Sequence, residues 1–161
     1  IYYYFGSKEQ LYIEVLEKVY GDIRNTEGAL NLSQLGPLEA IRRLVEFTFD
    51  HHDHHTDFVR IVSVENIHHA EYVKQSDAIK AMNHSMLTAL GEVLARGVEQ
   101  GVFRAGLTAL DVHLLINSFC FFRVSNRYTV GEIFQLDLAA EAIKQRHREM
   151  ICESVSRYLL A

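Results

Sequence analysis

The chain has almost no proline. Pro37 is the single one in 161 residues, so long helices can run without the break that a proline ring imposes. Also scarce is the strict alternation of apolar and polar residues that marks half-buried strands. Apolar residues recur instead at spacings of three and four, the helical period, which predicts an all-α chain. Basic excess is missing as well: 16 lysines and arginines against 21 aspartates and glutamates leave a net charge of -5. That is the wrong sign for a free-standing nucleic-acid binder. No apolar run approaches the roughly 18 residues that span a bilayer, and no signal-peptide pattern is visible, so a cytoplasmic location without a membrane partner is expected. The cysteines, Cys120 and Cys152, lie far apart in apolar helical contexts and read as buried free thiols of a reducing compartment.

What is present is an ordinary globular balance, 48% apolar and 23% charged, in a length that suits one domain with a single sizeable core. Ser7 followed by Gln10 forms a capping-box pattern, and Leu11, Val15, Leu16, Val19, Tyr20 and Ile23 share a face, predicting a helix over 8–25. A glycine-containing polar stretch to Gly36 reads as a loop. Pro37 then opens a helix with Ile41, Leu44, Val45, Thr48 and Phe49 inward. A short helix over 57–67 follows, then a long one over 70–99 that Gly101 stops. The next helix, over 109–126, is apolar on nearly every side and so must be covered on nearly every side. Residues 128–137 read as a loop and 138–160 as the last helix.

No catalytic set emerges. Histidines and carboxylates are plentiful, but no spacing selects a nucleophile, a base and an orienting group, and neither a glycine-rich phosphate loop nor a nucleophile elbow occurs. The chain reads as a non-enzyme that needs no cofactor. Its most unusual stretch is His51-His52-Asp53-His54-His55. His51 and His55 are four apart and would share a helix face, a spacing that can bind zinc or nickel. The tract also sits at a helix end, where histidine suits the negative terminus. It is read as a solvated helix end with no metal bound. The nine histidines would reduce or reverse the negative charge below about pH 6.5.

Residues 1–12 read Ile-Tyr-Tyr-Tyr-Phe-Gly-Ser-Lys-Glu-Gln-Leu-Tyr. This resembles the end of the DNA-binding domain in the TetR (tetracycline-repressor-like) family, where a recognition helix closes on an aromatic run before a tight turn and a Ser-Lys-Glu-x-Leu helix start. Glu-Gln-Gly-Val-Phe-Arg at 99–104 resembles a common turn of such regulators, and Ser-Asn-Arg-Tyr-Thr at 125–129 looks like one subgroup. The resemblance implies a TetR-type C-terminal helical bundle that dimerises through a four-helix interface. It also implies a helix-turn-helix head of some 40 to 50 residues upstream of the Ile1 with which the sequence opens. Residues 1–8 would be the remnant of that head and 9–161 the ligand-binding and dimerisation domain. The implied function is a DNA-binding transcriptional regulator, a repressor released by a small-molecule effector, with operator DNA and a second copy of the chain as partners.

By match to the motif, Tyr2, Tyr3, Tyr4 and Lys8 are expected to contact the DNA backbone, since phenol hydroxyls and an ammonium bind phosphate oxygens. Phe5 reads as core. The implied ligand cavity draws on polar residues set among apolar ones. Glu65, Asn66, His69, Asn117 and Arg123 are the polar candidates, with Met82, Met86, Phe119 and Phe122 as apolar wall; His68 and His113 belong to the same polar set. Structural roles compete with this: Arg123 bridging to Glu65 or Asp137, Asn117 bonding across a dimer, His113 facing water. Leu114, Phe121, Val124, Ile143, Met150, Val155 and Tyr158 are the expected dimer interface. A helical dimerisation scaffold without a pocket is the alternative, and a solid interior would mark it.

Overall fold

The computed structural model describes residues 6–161. Its described residues form seven α-helices: α1 (Lys8–Gly28), α2 (Pro37–His54), α3 (Thr56–Ile67), α4 (Asp77–Glu99), α5 (Ala109–Ser125), α6 (Arg127–Phe134) and α7 (Glu141–Leu159). Single 3-10 turns at Leu32–Gln34 and Val73–Gln75 lie in the connections before α2 and α4. The fold is the all-α bundle expected, and none of the described helices is long and apolar enough to cross a membrane.

Caps set the helix starts. Ser7 Oγ accepts from Gln10 N–H at 3.1 Å at the head of α1, Ser76 Oγ accepts from Ile79 N–H at the head of α4, and Thr108 Oγ1 accepts from Asp111 N–H at the head of α5. Each satisfies a donor that the first turn leaves without an intrahelical partner. Pro37 occupies the first turn of α2, where its missing N–H costs nothing.

α2 is the central element. Its buried stripe, Ala40, Ile41, Leu44, Val45 and Phe49, meets Leu90, Val93 and Leu94 of α4, Val112, Ile116 and Cys120 of α5, and Ile151, Cys152, Val155 and Leu159 of α7 in one core. A smaller cluster, Ile23, Phe58, Val59 and Val124, joins α1, α3 and α5. The turn after α4 is tied to the chain's end: Arg104 N–H donates to Leu159 O, Ala161 N–H to Val102 O, and the Arg104 guanidinium lies 4.1 Å from the Tyr158 ring centre.

Two segments differ from the sequence expectation. The helix expected over 70–99 starts at Asp77. His69 and Ala70 have φ of 57° and 58°, which ends α3, and the buried Glu65 carboxylate accepts the Tyr72 and Val73 N–H groups at 3.2 and 3.0 Å. That acceptor stabilises the turn against helix propagation, and it comes from the preceding helix, so no local pattern announces it. Residues 127–134, expected mostly as loop, form α6, which Gln135 closes in the left-handed conformation with Leu136 N–H donating to Gly131 O.

Candidate functional site

Between α1, α3, α4 and α5 the bundle leaves a cavity of about 690 Å³ that is open to the surface. Tyr20, Phe58, Val62, Ile79 and Phe121 form apolar walls, with Tyr20 meeting Phe58 edge-on at 5.5 Å between ring centres. Arg24, Asn66, Lys80, Asn83, His113 and Asn117 bring polar groups to it. A second cavity of about 580 Å³ lies between the C-terminal half of α1, the Leu32–Gln34 turn and α4, lined by Met82, Met86, Glu27 and Arg96 among others. Arg24 lines both, and its guanidinium pairs with Glu27 one turn along α1. Volumes of this size suit small organic molecules.

A polar line runs from buried His52 to half-buried Asn117 and His113 at the first cavity. His52 Nε2 lies 3.0 Å from Asn117 Oδ1, and Asn117 Nδ2 donates to His113 O at 3.0 Å and approaches both nitrogens of the His113 ring at 3.3 and 3.4 Å. The His52 ring is only 1% exposed; it stacks on Phe58 and meets Phe121 edge-on. Burial pushes His52 and His113 down to about 4, helped by the nearby Arg24 charge, with the Asn117 contact opposing at His52. His51 is likewise pushed down to about 4, by burial first and then by His55 and His52. All three rings are neutral at pH 7.

This corrects the reading of the histidine tract as a solvated helix end. His51 and His52 are buried, because Phe47, Phe58 and Phe121 surround the last turn of α2. His51 and His55 do share a face, but their rings stack at 4.2 Å and His55 Nδ1 bonds His51 O, so the two are not splayed around an ion. Among the described residues no group of three metal-ligating side chains occurs.

The residues expected at the pocket separate. Asn66 and Asn117 line the first cavity, Met82 and Met86 the second. Glu65, His69, Phe119, Phe122 and Arg123 line neither. Glu65 is buried as the cap described above, and His69 is exposed in the α3–α4 turn. Phe119 packs edge-on against His147 between α5 and α7, and Phe122 points outward, 55% exposed. Arg123 is buried in a bridge to Asp53 at 3.0 Å, a partner different from the Glu65 or Asp137 considered from sequence, and it also donates to Leu138 O at 2.7 Å. Arg24, Glu27 and His52, which the sequence did not single out for the cavity, belong to its floor or partition. Their partners lie across the bundle or just one helical turn away on a face that the pattern reads as solvated.

Of the expected interface residues, Val124 and Val155 are corrected: both are buried within the chain's own core, so they have no surface to offer a partner. Leu114, Met150 and Tyr158 are exposed, while Phe121 and Ile143 are half-buried. Leu110, Leu114 and Phe122 make an uncovered apolar strip along α5, each more than half exposed. Tyr2, Tyr3 and Tyr4 lie outside the described residues. Lys8 is exposed in the first turn of α1.

Cys120 and Cys152 are buried free thiols on α5 and α7. Burial pushes Cys120 up to about 12 and raises Cys152 as well. Thiols held this far from their thiolates are poor nucleophiles. Neither should react with Ellman's reagent in the folded chain, and both should be titrated after denaturation. A fast-reacting thiol in native protein would show that the α2–α5–α7 core opens.

The sequence model of the tetracyclin repressor-like C-terminal domain family matches residues 37–155. Over 144 residues the chain is 36% identical to the HTH-type transcriptional repressor NicS of Pseudomonas putida, an alignment that takes in 89% of this chain and 68% of that protein.

Proposed function

The chain belongs to the tetracycline-repressor (TetR) family of transcriptional regulators, and from that membership we propose that it is the effector-sensing and dimerising part of a repressor that a small molecule releases from its operator. Residues 1–8 would close the DNA-binding head and 9–161 form the sensor. The observation that carries the ligand-binding reading is the cavity of about 690 Å³ against α1, with His113 and Asn117 converging on it between aromatic walls. A dimerisation scaffold would need no such recess with polar groups converging on it.

In this reading the uncovered strip Leu110, Leu114 and Phe122 on α5, with Met150 and Tyr158 on α7, meets the same surface of a second copy. Two heads then face successive major grooves of a pseudo-palindrome. α1 is the lever. Its first half is fastened to the start of α4 by Ser76 Oγ donating to Glu17 Oε1 at 2.6 Å, and Tyr12 sits edge-on to Tyr72 at 4.8 Å. Its second half carries Tyr20 and Arg24 into the cavity. A ligand that fits better when α1 is displaced lowers operator affinity by that difference in fit, and a ligand indifferent to α1 does nothing. The chemistry is binding and release in the cytoplasm, with no catalysed step.

The test is a mobility-shift titration of the full-length protein on DNA upstream of its own gene, beside its Phe122→Glu variant. Phe122 lines neither cavity, so the substitution addresses the surface alone. The parent should elute as a dimer and give a discrete, salt-sensitive complex that resists nonspecific competitor. The variant should elute as a monomer and lose that complex, because a glutamate there would have to be desolvated in the apolar seam without a partner charge. A variant that stays dimeric and still shifts DNA would overturn the interface.

A further inference from the structure

Resting on the reading of the 690 Å³ cavity as the effector site, we propose that His113 reads the ligand by donating one hydrogen bond to an acceptor atom on a flat, largely apolar molecule, with His52 and Asn117 as the positioning residues that hold it ready. The direction of each bond follows from what each atom can do. Asn117 Nδ2 faces the His113 carbonyl at 3.0 Å, so it must be the amide nitrogen, since an oxygen there would meet another acceptor. Oδ1 then faces His52 Nε2 at 3.0 Å, and an oxygen that only accepts requires the proton on His52 Nε2. His52 Nδ1 is left as a lone pair, buried and without a partner. A buried ring that leaves one nitrogen unsatisfied is costly, and phenylalanine would fill the same aromatic box between Phe58 and Phe121. What the histidine supplies and phenylalanine cannot is the bond to Asn117.

The remaining Asn117 N–H is turned to the His113 ring, 3.3 and 3.4 Å from its two nitrogens. A neutral imidazole has one lone pair and one N–H. An amide nearly equidistant from both nitrogens lies over the ring face and on neither in-plane lone pair, so the neutral ring's in-plane N–H stays free for the cavity that His113 lines. The other charged groups at the cavity are already engaged: Arg24 with Glu27, and Lys80 at the rim with Asp77 and the Lys74 carbonyl. Tyr20, Phe58 and Phe121 supply flat apolar faces for the body of the ligand.

Quinoline and naphthalene test this, being the same shape with and without one acceptor nitrogen. Their binding to the full chain is followed by methyl shifts of Val62 and Ile79, which line the cavity. Quinoline should bind about tenfold more tightly than naphthalene, the worth of one hydrogen bond in a desolvated site. In His113→Phe that preference should fall to parity while naphthalene binds as before. In His52→Phe, which keeps the box filled, the imidazole nitrogen shifts of His113 should move and the preference should narrow. Wild type without a preference, or a preference that survives His113→Phe, overturns the proposal and leaves the cavity reading standing. Failure of either molecule to shift the cavity methyls overturns both.

Discussion

Asp53→Ala is expected to remove about 3–5 kcal/mol of folding stability, the cost of stranding a buried charge. Arg123 lies 3.0 Å from Asp53 Oδ1 with its side chain 3% exposed, and Arg127 and Lys144 each approach the same carboxylate at 3.3 Å. Removing the carboxylate leaves the Arg123 guanidinium in the core, over the Phe49 ring, with the Leu138 carbonyl as its remaining named acceptor. Urea unfolding checks the loss. The double variant Asp53→Ala with Arg123→Met should recover much of it, since the stranded charge is gone. A loss below about 1 kcal/mol in the single variant, the range of exposed ion pairs, would mean that water reaches the bridge.

The same cluster gives a pH dependence with a definite sign. Burial alone would raise the Asp53 carboxyl, but the bonds and charges of Arg123 and Lys144 outweigh it and hold the group below its ordinary 3.8. Its contribution is present above that value and is lost as pH falls through the lower, folded one. His51, His52 and His113 act in a higher window. Each is pushed from 6.5 down to about 4, so the unfolded chain takes up protons first and stability declines as pH drops through that interval. Urea midpoints measured across pH 4 to 7 should therefore fall toward acid well before the carboxylates titrate. His52→Phe should flatten the upper part of that fall.

Gly97→Ala should destabilise by roughly 1–3 kcal/mol or more, the cost of forcing atoms into a filled core. Helix propensity alone predicts the opposite sign, since Gly97 lies inside α4 and alanine there would be favoured by about 1 kcal/mol. Space decides. A Cβ on Gly97 would stand 1.9 Å from Phe103 Cδ2 and 2.6 Å from Cγ. The Phe103 ring is buried, and its backbone N–H donates to Gly97 O, so the ring cannot simply swing away. Gly97→Ala with Phe103→Leu should cost less than the sum of the two changes. A melting temperature raised by Gly97→Ala would show that the α4 turn has room to give.

The cap at Ser7, the stripe of α2 and the nearly all-round apolarity of α5 were legible because each is set by neighbours within a turn or two. So was the family resemblance in residues 1–12. The uncovered α5 strip was foreseeable in kind, since a helix apolar on every side cannot be covered by one small bundle. Of its residues only Leu114 reads as interface from the sequence: nothing there singles out Leu110, and Phe122 reads as pocket wall. Val124 and Val155 share the composition of their exposed neighbours, and only the packing angle of each helix turns them inward.

The sequence by itself determined the helical class, most helix boundaries, the acidic balance and the family. These follow from local periodicity, caps and short motifs, whose physics acts over a few residues. Tertiary structure alone decided the site. His52 meets Asn117 across 65 positions of chain, Arg123 meets Asp53 across 70, and Glu65 holds a turn at Tyr72 and Val73 where the local pattern reads as helix. Whether a polar residue is stranded, bridged or aimed into a cavity depends on which side chain burial brings opposite it, and a hydrogen bond formed over such a separation leaves no periodic trace in the sequence.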